Sequence, residues 1–66
     1  MGAIWRRAEN TKIWEYIEDD GTTVGIVKPV GGSWECIYRN EEIAIRPSIV
    51  FAKRLVENVH KYRTTN

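Results

Sequence analysis

Asp20-Gly21 and Gly31-Gly32 constrain this chain more than any other feature. Each pair is a short-range reversal signal, because glycine accepts the positive φ of a tight hairpin and aspartate tolerates it. Each also separates runs that alternate apolar and polar side chains. Residues 11–18 (TKIWEYIE), 22–30 (TTVGIVKPV) and 33–39 (SWECIYR) are rich in β-branched and aromatic types, which suit a pleated, half-buried surface. Three such strands joined by two tight turns form an antiparallel meander. Pro29 falls near a strand end, where its missing N–H does least harm.

Asn40, Glu41 and Glu42 interrupt the alternation, and residues 43–46 (IAIR) make at most a short extended segment. Pro47 and Ser48 then offer a helix start, since proline suits a first turn and serine caps it. Beyond them Ile49, Ala52, Leu55, Val56, Val59 and Tyr62 recur at helical spacing, opposite Lys53, Arg54, Glu57 and Lys61. The basic last turn suits the helix dipole. At the other end, Ile4 and Trp5 form a brief strand or tuck against the body. The expected fold is α+β: a three-stranded antiparallel sheet with two tight hairpins, packed on one C-terminal helix. It fills one domain over 1–66, with an N-terminal segment 1–10, a β-meander 11–39 and a helix 48–63.

If both turns are two-residue loops, the register follows. Ile17 faces Val24, Trp14 faces Val27, Val27 faces Cys36 and Gly25 faces Tyr38. Side chains alternate, so two faces can be drawn. One collects Trp14, Tyr16, Val27, Trp34, Cys36 and Tyr38, with Gly25 beneath the two tyrosines. The other collects Ile13, Ile17, Val24, Ile26 and Ile37, interspersed with Glu15, Lys28, Glu35 and Arg39. One helix covers one face. The aromatic face has no charge in its middle, so the helix is expected there. That leaves an exposed aliphatic face crossed by Glu15, Lys28 and Glu35, and an exposed apolar patch of that size marks an interface. In the reverse arrangement Trp14, Tyr16, Trp34 and Tyr38 become an open stacking platform for single-stranded nucleic acid.

A chain of 66 residues buries only about 60% of its unfolded surface and usually needs a staple. Cys36 is alone and cannot form an internal disulfide, and no cluster of metal ligands is evident. Oligomerisation or a bound partner is the staple left, and a homodimer is expected. The lone cysteine and the lack of a signal segment point to a reducing, cytoplasmic setting. No apolar run approaches the ~18 residues of a membrane span.

Catalytic chemistry finds little support. Cys36 and His60 are the only residues of the usual nucleophile and base types, and nothing local orients them as a pair; Cys36 reads as a small core residue. Glu57 and His60 are three apart on the helix, half a metal site at best. Gly31-Gly32 lacks the Lys-Ser/Thr and the helix of a phosphate loop. No catalytic, metal or cofactor site is assigned, and no enzyme activity.

Net charge is only +1, but it is sorted along the chain. Residues 1–12 set Arg6, Arg7 and Lys12 against Glu9. Residues 13–42 set Lys28 and Arg39 against seven carboxylates, and 43–66 set five cations against Glu57. An acidic middle between basic ends steers partners. The turn acids Asp19 and Asp20 suit a basic protein surface. Arg6, Arg7, Lys12, Lys53, Arg54, Lys61 and Arg63 are the candidate nucleic-acid contacts.

Asp20-Gly21, then Val24 to Val27, Gly31-Gly32, Trp34 to Cys36, and a helix bearing Ala52, Lys53, Val56 and Glu57 together resemble a pattern of small phage and mobile-element β-β-β-α proteins. Two groups share it. Phage-encoded inhibitors of host machinery are short, single-domain, acidic in places and often dimeric. Arm-type DNA-binding domains of phage integrases have a similar element order and imply a sheet inserted in the major groove, but their sheets are basic where this one carries Glu15, Glu18 and Glu35. The expectation is a non-enzymatic protein-binding module that inhibits or regulates a larger host or defence complex. Its interface would comprise Ile13, Glu15, Ile17, Val24, Ile26, Lys28, Glu35 and Ile37 with the acidic turn Asp19-Asp20. The alternative is a nucleic-acid-binding module using the sheet and the basic termini.

Overall fold

The structure is a computed structural model, and it describes residues 2–64. Five strands follow one another without a crossover: β1 (Ile4–Arg7), β2 (Trp14–Ile17), β3 (Thr23–Val30), β4 (Ser33–Tyr38) and β5 (Glu41–Arg46). One helix, α1 (Ile49–Thr64), completes the order. The α+β class and the single antiparallel sheet with a C-terminal helix are as expected. The strand number is not: the meander has five strands, not three.

Gly31-Gly32 turns as its sequence demands. Its φ values of 49° and 81° make a two-residue primed turn. β3 and β4 therefore pair from Val30↔Ser33 through Val27↔Cys36 to Gly25↔Tyr38. The Asp20-Gly21 turn is looser. Gly21 N–H donates to the Glu18 carbonyl (2.8 Å) and Glu18 N–H to the Thr22 carbonyl (2.9 Å). Three residues, 19–21, thus form the loop, with Gly21 at φ 91°. The extra loop residue slips the pairing, so Ile17 faces Thr23 instead of Val24. A bulge then absorbs Val24, and the expected register returns at Tyr16↔Gly25 and Trp14↔Val27. The bulge turns Val24 under the helix, where it is 1% exposed. Val24 is a core residue, and its expected place on the interface is corrected.

Of the two added strands, β1 is the brief N-terminal strand allowed for at Ile4 and Trp5, and β5 is longer than the short extended segment expected at 43–46, for local reasons. Arg39 and Asn40 both lie at positive φ, 50° and 70°, and form a second two-residue turn. Asparagine tolerates this region, but arginine hides the signal. Glu41 and Glu42 therefore open β5 after the Arg39-Asn40 turn and do not end the sheet. Alternation in β5 is further masked by a bulge: Ile37 faces Glu42, Cys36 faces Ala44, and Ile43 is the extra residue packed onto the core. β1 pairs with β2 through Trp5↔Tyr16 and Arg6↔Glu15. Its loop is closed by Ala8 N–H on the Ile13 carbonyl (2.8 Å), and the Thr11 hydroxyl donates to the Ala8 carbonyl (2.7 Å).

Ser48 caps α1: its Oγ accepts Val50 N–H (3.2 Å) and its carbonyl accepts Ala52 N–H (2.9 Å). Pro47 precedes the cap and is not in the first turn. The helix lies on the aromatic face, chiefly over β4, with β3 and β5 on either side. Val24, Val27, Cys36, Tyr38, Ala52 and Val56 form the core, and Trp5, Trp14, Tyr16 and Trp34 pack around it. Close approach needs small residues at the crossing. A Cβ on Gly25 would collide with Val56 Cγ1, so Val56, not the two tyrosine rings, fills the space over this glycine. The Cys36 thiol donates to the Ala52 carbonyl (3.7 Å), and burial pushes its pKa up. Among the described residues, no helix is long and apolar enough to cross a membrane.

Candidate functional site

With the helix on one face, the other is left open, and the register defines its rows. The central row crosses all five strands: Arg6, Glu15, Ile26, Ile37, Glu42. Beside it run Ile4, Ile17 and Thr23 on one flank, and Lys28, Glu35 and Ile45 on the other. The isoleucines are unequally covered. Ile17 is only 8% exposed, Ile26 and Ile37 are half-buried, and Ile4 (65%) and Ile45 (49%) stand open at the two edges.

The charges on this face are mostly paired within it. Arg6 Nη2 lies 3.5 Å from Glu15 Oε1, and Lys28 Nζ lies 3.7 Å from Glu35 Oε1. The expected Glu15–Lys28–Glu35 stripe is thus two separate ion pairs. Both are solvent-exposed enough to contribute little to stability. Glu42 is the exception. It shares a hydrogen bond with Glu35, which raises its pKa, and the Glu35 charge raises it further; Lys28 offsets this only in part.

A second feature lies at the other end of the sheet, where the 19–21 turn meets the C-terminal half of α1. Tyr16, Glu18, Asp20, Glu57, His60 and Lys61 line an open cleft of about 520 Å³. His60 Nε2 lies 3.1 Å from Glu18 Oε2, and His60 Nδ1 lies 2.8 Å from Tyr38 Oη. Arg39 Nε donates to the same Tyr38 oxygen at 3.4 Å. One direction of donation uses every group: Arg39 to Tyr38, Tyr38 O–H to Nδ1, and Nε2–H to Glu18. This chain ties the end of α1 to two turns of the sheet. Trp5 Nε1 donates to Glu57 Oε2 at 2.7 Å, fastening β1 to the helix as well. Burial, then the Glu57 and Glu18 charges, push the Tyr16 phenol pKa up. Asp20 Oδ1 accepts Thr22 N–H at 2.9 Å, which holds its pKa below the ordinary aspartate value.

Of the residues expected at an interface, Glu15, Ile17, Ile26, Lys28, Glu35 and Ile37 lie on the open face by register, and half-buried Ile13 sits just ahead of β2. Asp19 and Asp20 are exposed on their turn. The candidate nucleic-acid contacts are spread over both sides of the molecule. Arg6 is on the open face, Arg7 and Lys12 flank the β1–β2 loop, and Arg54 is exposed on α1. Lys61 lines the cleft. Lys53 Nζ sits 3.5 Å above the Trp14 ring and Arg63 lies 5.3 Å from the Tyr38 ring centroid. Glu57 and His60 hold different partners, and among the described residues no group of three metal-ligating side chains converges.

Sequence reasoning left out Ile4, Glu42 and Ile45 because it did not add β1 and β5 to the sheet. It missed the cleft because Glu18 and Glu57 meet only through tertiary packing. The available signal for β5 was the short run of Ile43 and Ile45, with the rest of the alternation hidden by the bulge; nothing local announces the cleft. No protein family, curated protein or solved structure matches this chain.

Proposed function

We propose that this chain is a non-enzymatic protein-binding module, a small regulator or inhibitor that docks through the open face of its sheet. The observation that carries this reading is the set of isoleucines on that face, Ile4, Ile26, Ile37 and Ile45, half-buried or exposed on four strands around a buried Ile17, with the helix on the opposite side. Single exposed isoleucines are ordinary on a protein surface; a contiguous set rimmed by ion pairs is characteristic of an interface. Asp19 and Asp20 extend the acidic side of the module beyond that set. Of the two resemblances, the inhibitor type fits better. A sheet for the major groove is basic, whereas this face balances Arg6 and Lys28 against Glu15, Glu35 and Glu42. The stacking platform of the nucleic-acid alternative is also absent, because the tryptophans and Tyr16 pack against the core under α1.

The test is photo-crosslinking from two positions in whole cells. A photoreactive side chain at Ile45 reports the open face, and one at Phe51, exposed on α1, reports the opposite side. The expected result is a discrete protein crosslink from position 45 and none from 51. Crosslinks from position 51 alone, or from neither, would refute the docking assignment.

A further inference from the structure

We propose that the open face docks against the same face of a second copy of this chain, on a twofold axis running along β3. This rests on the docking role of that face and names its occupant.

The charge pattern selects both the partner and the axis. The central row reads Arg6, Glu15, Ile26, Ile37, Glu42, with Ile26 on the middle strand. Two copies placed face to face about an axis along β3 bring Ile26 onto Ile26. They also bring Arg6 at each edge onto Glu42 of the other copy, twice by symmetry. An axis shifted between β3 and β4 would set Glu15 against Glu42. An axis across the strands would set every charge of the row against its own copy. Like charges so juxtaposed are strongly disfavoured, and an axis between β2 and β3 would set Arg6 and Glu15 on isoleucines; of these four axes the β3 axis alone pairs opposite charges across the row, with each Glu15 over the other copy's Ile37. Glu42 gains most. In one copy it leans on Glu35, a like charge, and an arginine arriving from the opposite edge relieves that contact. The two Lys28 side chains approach each other near the axis at the rim, each flanked by its own Glu35 at 3.7 Å.

The edges point the same way. β1 carries Arg6 and Arg7, and β5 carries Glu41, Glu42 and Arg46. Like charges discourage a twofold pairing of β1 with β1 or of β5 with β5, so a symmetric dimer is directed to the face.

Size sets the strength. Strands ~4.8 Å apart and residues ~3.3 Å along each strand give a plate of roughly 24 by 17 Å, or about 400 Å² per copy. A standard stable interface buries about 800 Å² per partner, so this dimer is a weak one that forms at high protein concentration.

The experiment is analytical ultracentrifugation of the full 66-residue chain from ~10 µM to ~1 mM, a range suited to weak self-association. The wild type is expected to move from 7.7 kDa towards twice that mass. Arg6→Glu and Glu42→Arg should each weaken the dimer at least about tenfold, and the double swap should return it to within about threefold of wild type. Both positions are exposed, so far-ultraviolet circular dichroism should be unchanged in all three variants. A single monomer mass over the whole range would overturn the proposal, as would a dimer insensitive to both single variants or a double swap no better than either. A chain that stays monomeric yet crosslinks a different protein from position 45 removes the second copy and leaves the docking face standing. The loss of both removes the docking face as well.

Discussion

Gly25→Ala tests how α1 is seated. A Cβ at position 25 runs into Val56 Cγ1, with Tyr16 Cβ at 3.4 Å and the Ile37 carbonyl oxygen at 3.6 Å closing the other sides. The strand cannot yield sideways, so the helix must lift or Val56 must leave its rotamer. Overpacking of this kind costs about 1–3 kcal/mol, against which alanine regains about 0.5–1 kcal/mol of glycine's chain entropy. A net loss of about 1 kcal/mol, and at most about 2.5 kcal/mol, is expected. For a chain of this length total stability is on the order of 3–10 kcal/mol, and each kcal/mol moves Tm by roughly 4–8 °C. Val56→Ala, at a fully buried position, removes two methyl groups at about 0.8 kcal/mol each and leaves a cavity, for a loss of about 2–3 kcal/mol. The double variant is the decisive one. If the new methyl at 25 occupies the space Val56 vacates, the double variant costs no more than Val56→Ala alone, a coupling of about 1–2 kcal/mol. Denaturant unfolding followed by circular dichroism measures all four proteins. Additive losses, or a Gly25→Ala variant as stable as wild type, would refute the argument that glycine is required here by Val56.

Two further outcomes follow from the polar end of the sheet. Tyr38→Phe removes the hydrogen bond to His60 Nδ1 while keeping the buried ring, and should cost about 1 kcal/mol in the same unfolding assay; no loss would mean water replaces the hydroxyl without penalty. Asp20 has a folded pKa below its unfolded one because Thr22 N–H stabilises the carboxylate. Its contribution is therefore fully present above the ordinary aspartate pKa and is lost as pH falls through the folded value. Carbon-detected titration should place its midpoint below that of a free aspartate, and an unshifted midpoint would contradict the turn geometry.

What could be read from the chain depended on whether a signal was local. Gly31-Gly32 specifies its turn without help, and the whole β3–β4 register follows from it. Ser48 likewise marks its own cap. Asp20-Gly21 announced a reversal but not its length, and the slip at Ile17 is undone within two residues by the Val24 bulge. The expected register was therefore right at Trp14 and wrong at Ile17. Val24 illustrates why alternation fails at a bulge: one inserted residue moves a side chain from the open face to the core. β5 was obscured twice, by an arginine at positive φ and by the Ile43 bulge. The acidic cleft was never local, since Glu18 and Glu57 approach only because Trp5, Tyr16 and His60 bring β1, β2 and the helix together.

The open face also carries information that solubility alone would not write. A 16-residue helix covers one side of a five-stranded sheet and no more, so the other side must tolerate water. Threonine satisfies that demand at full β-propensity, and Thr23 shows the chain using it on this face. Ile26 and Ile37 occupy the centre instead, where an unpartnered sheet loses most by exposing them. Around them Arg6 and Lys28 are each matched by a carboxylate one strand away, Glu15 and Glu35, and the charge left over is Glu42, at one end of the central row. Glu42 thus stands at one end of a registered row with Ile26 midway along it, and the second copy proposed above would bring Arg6 to it from the opposite edge.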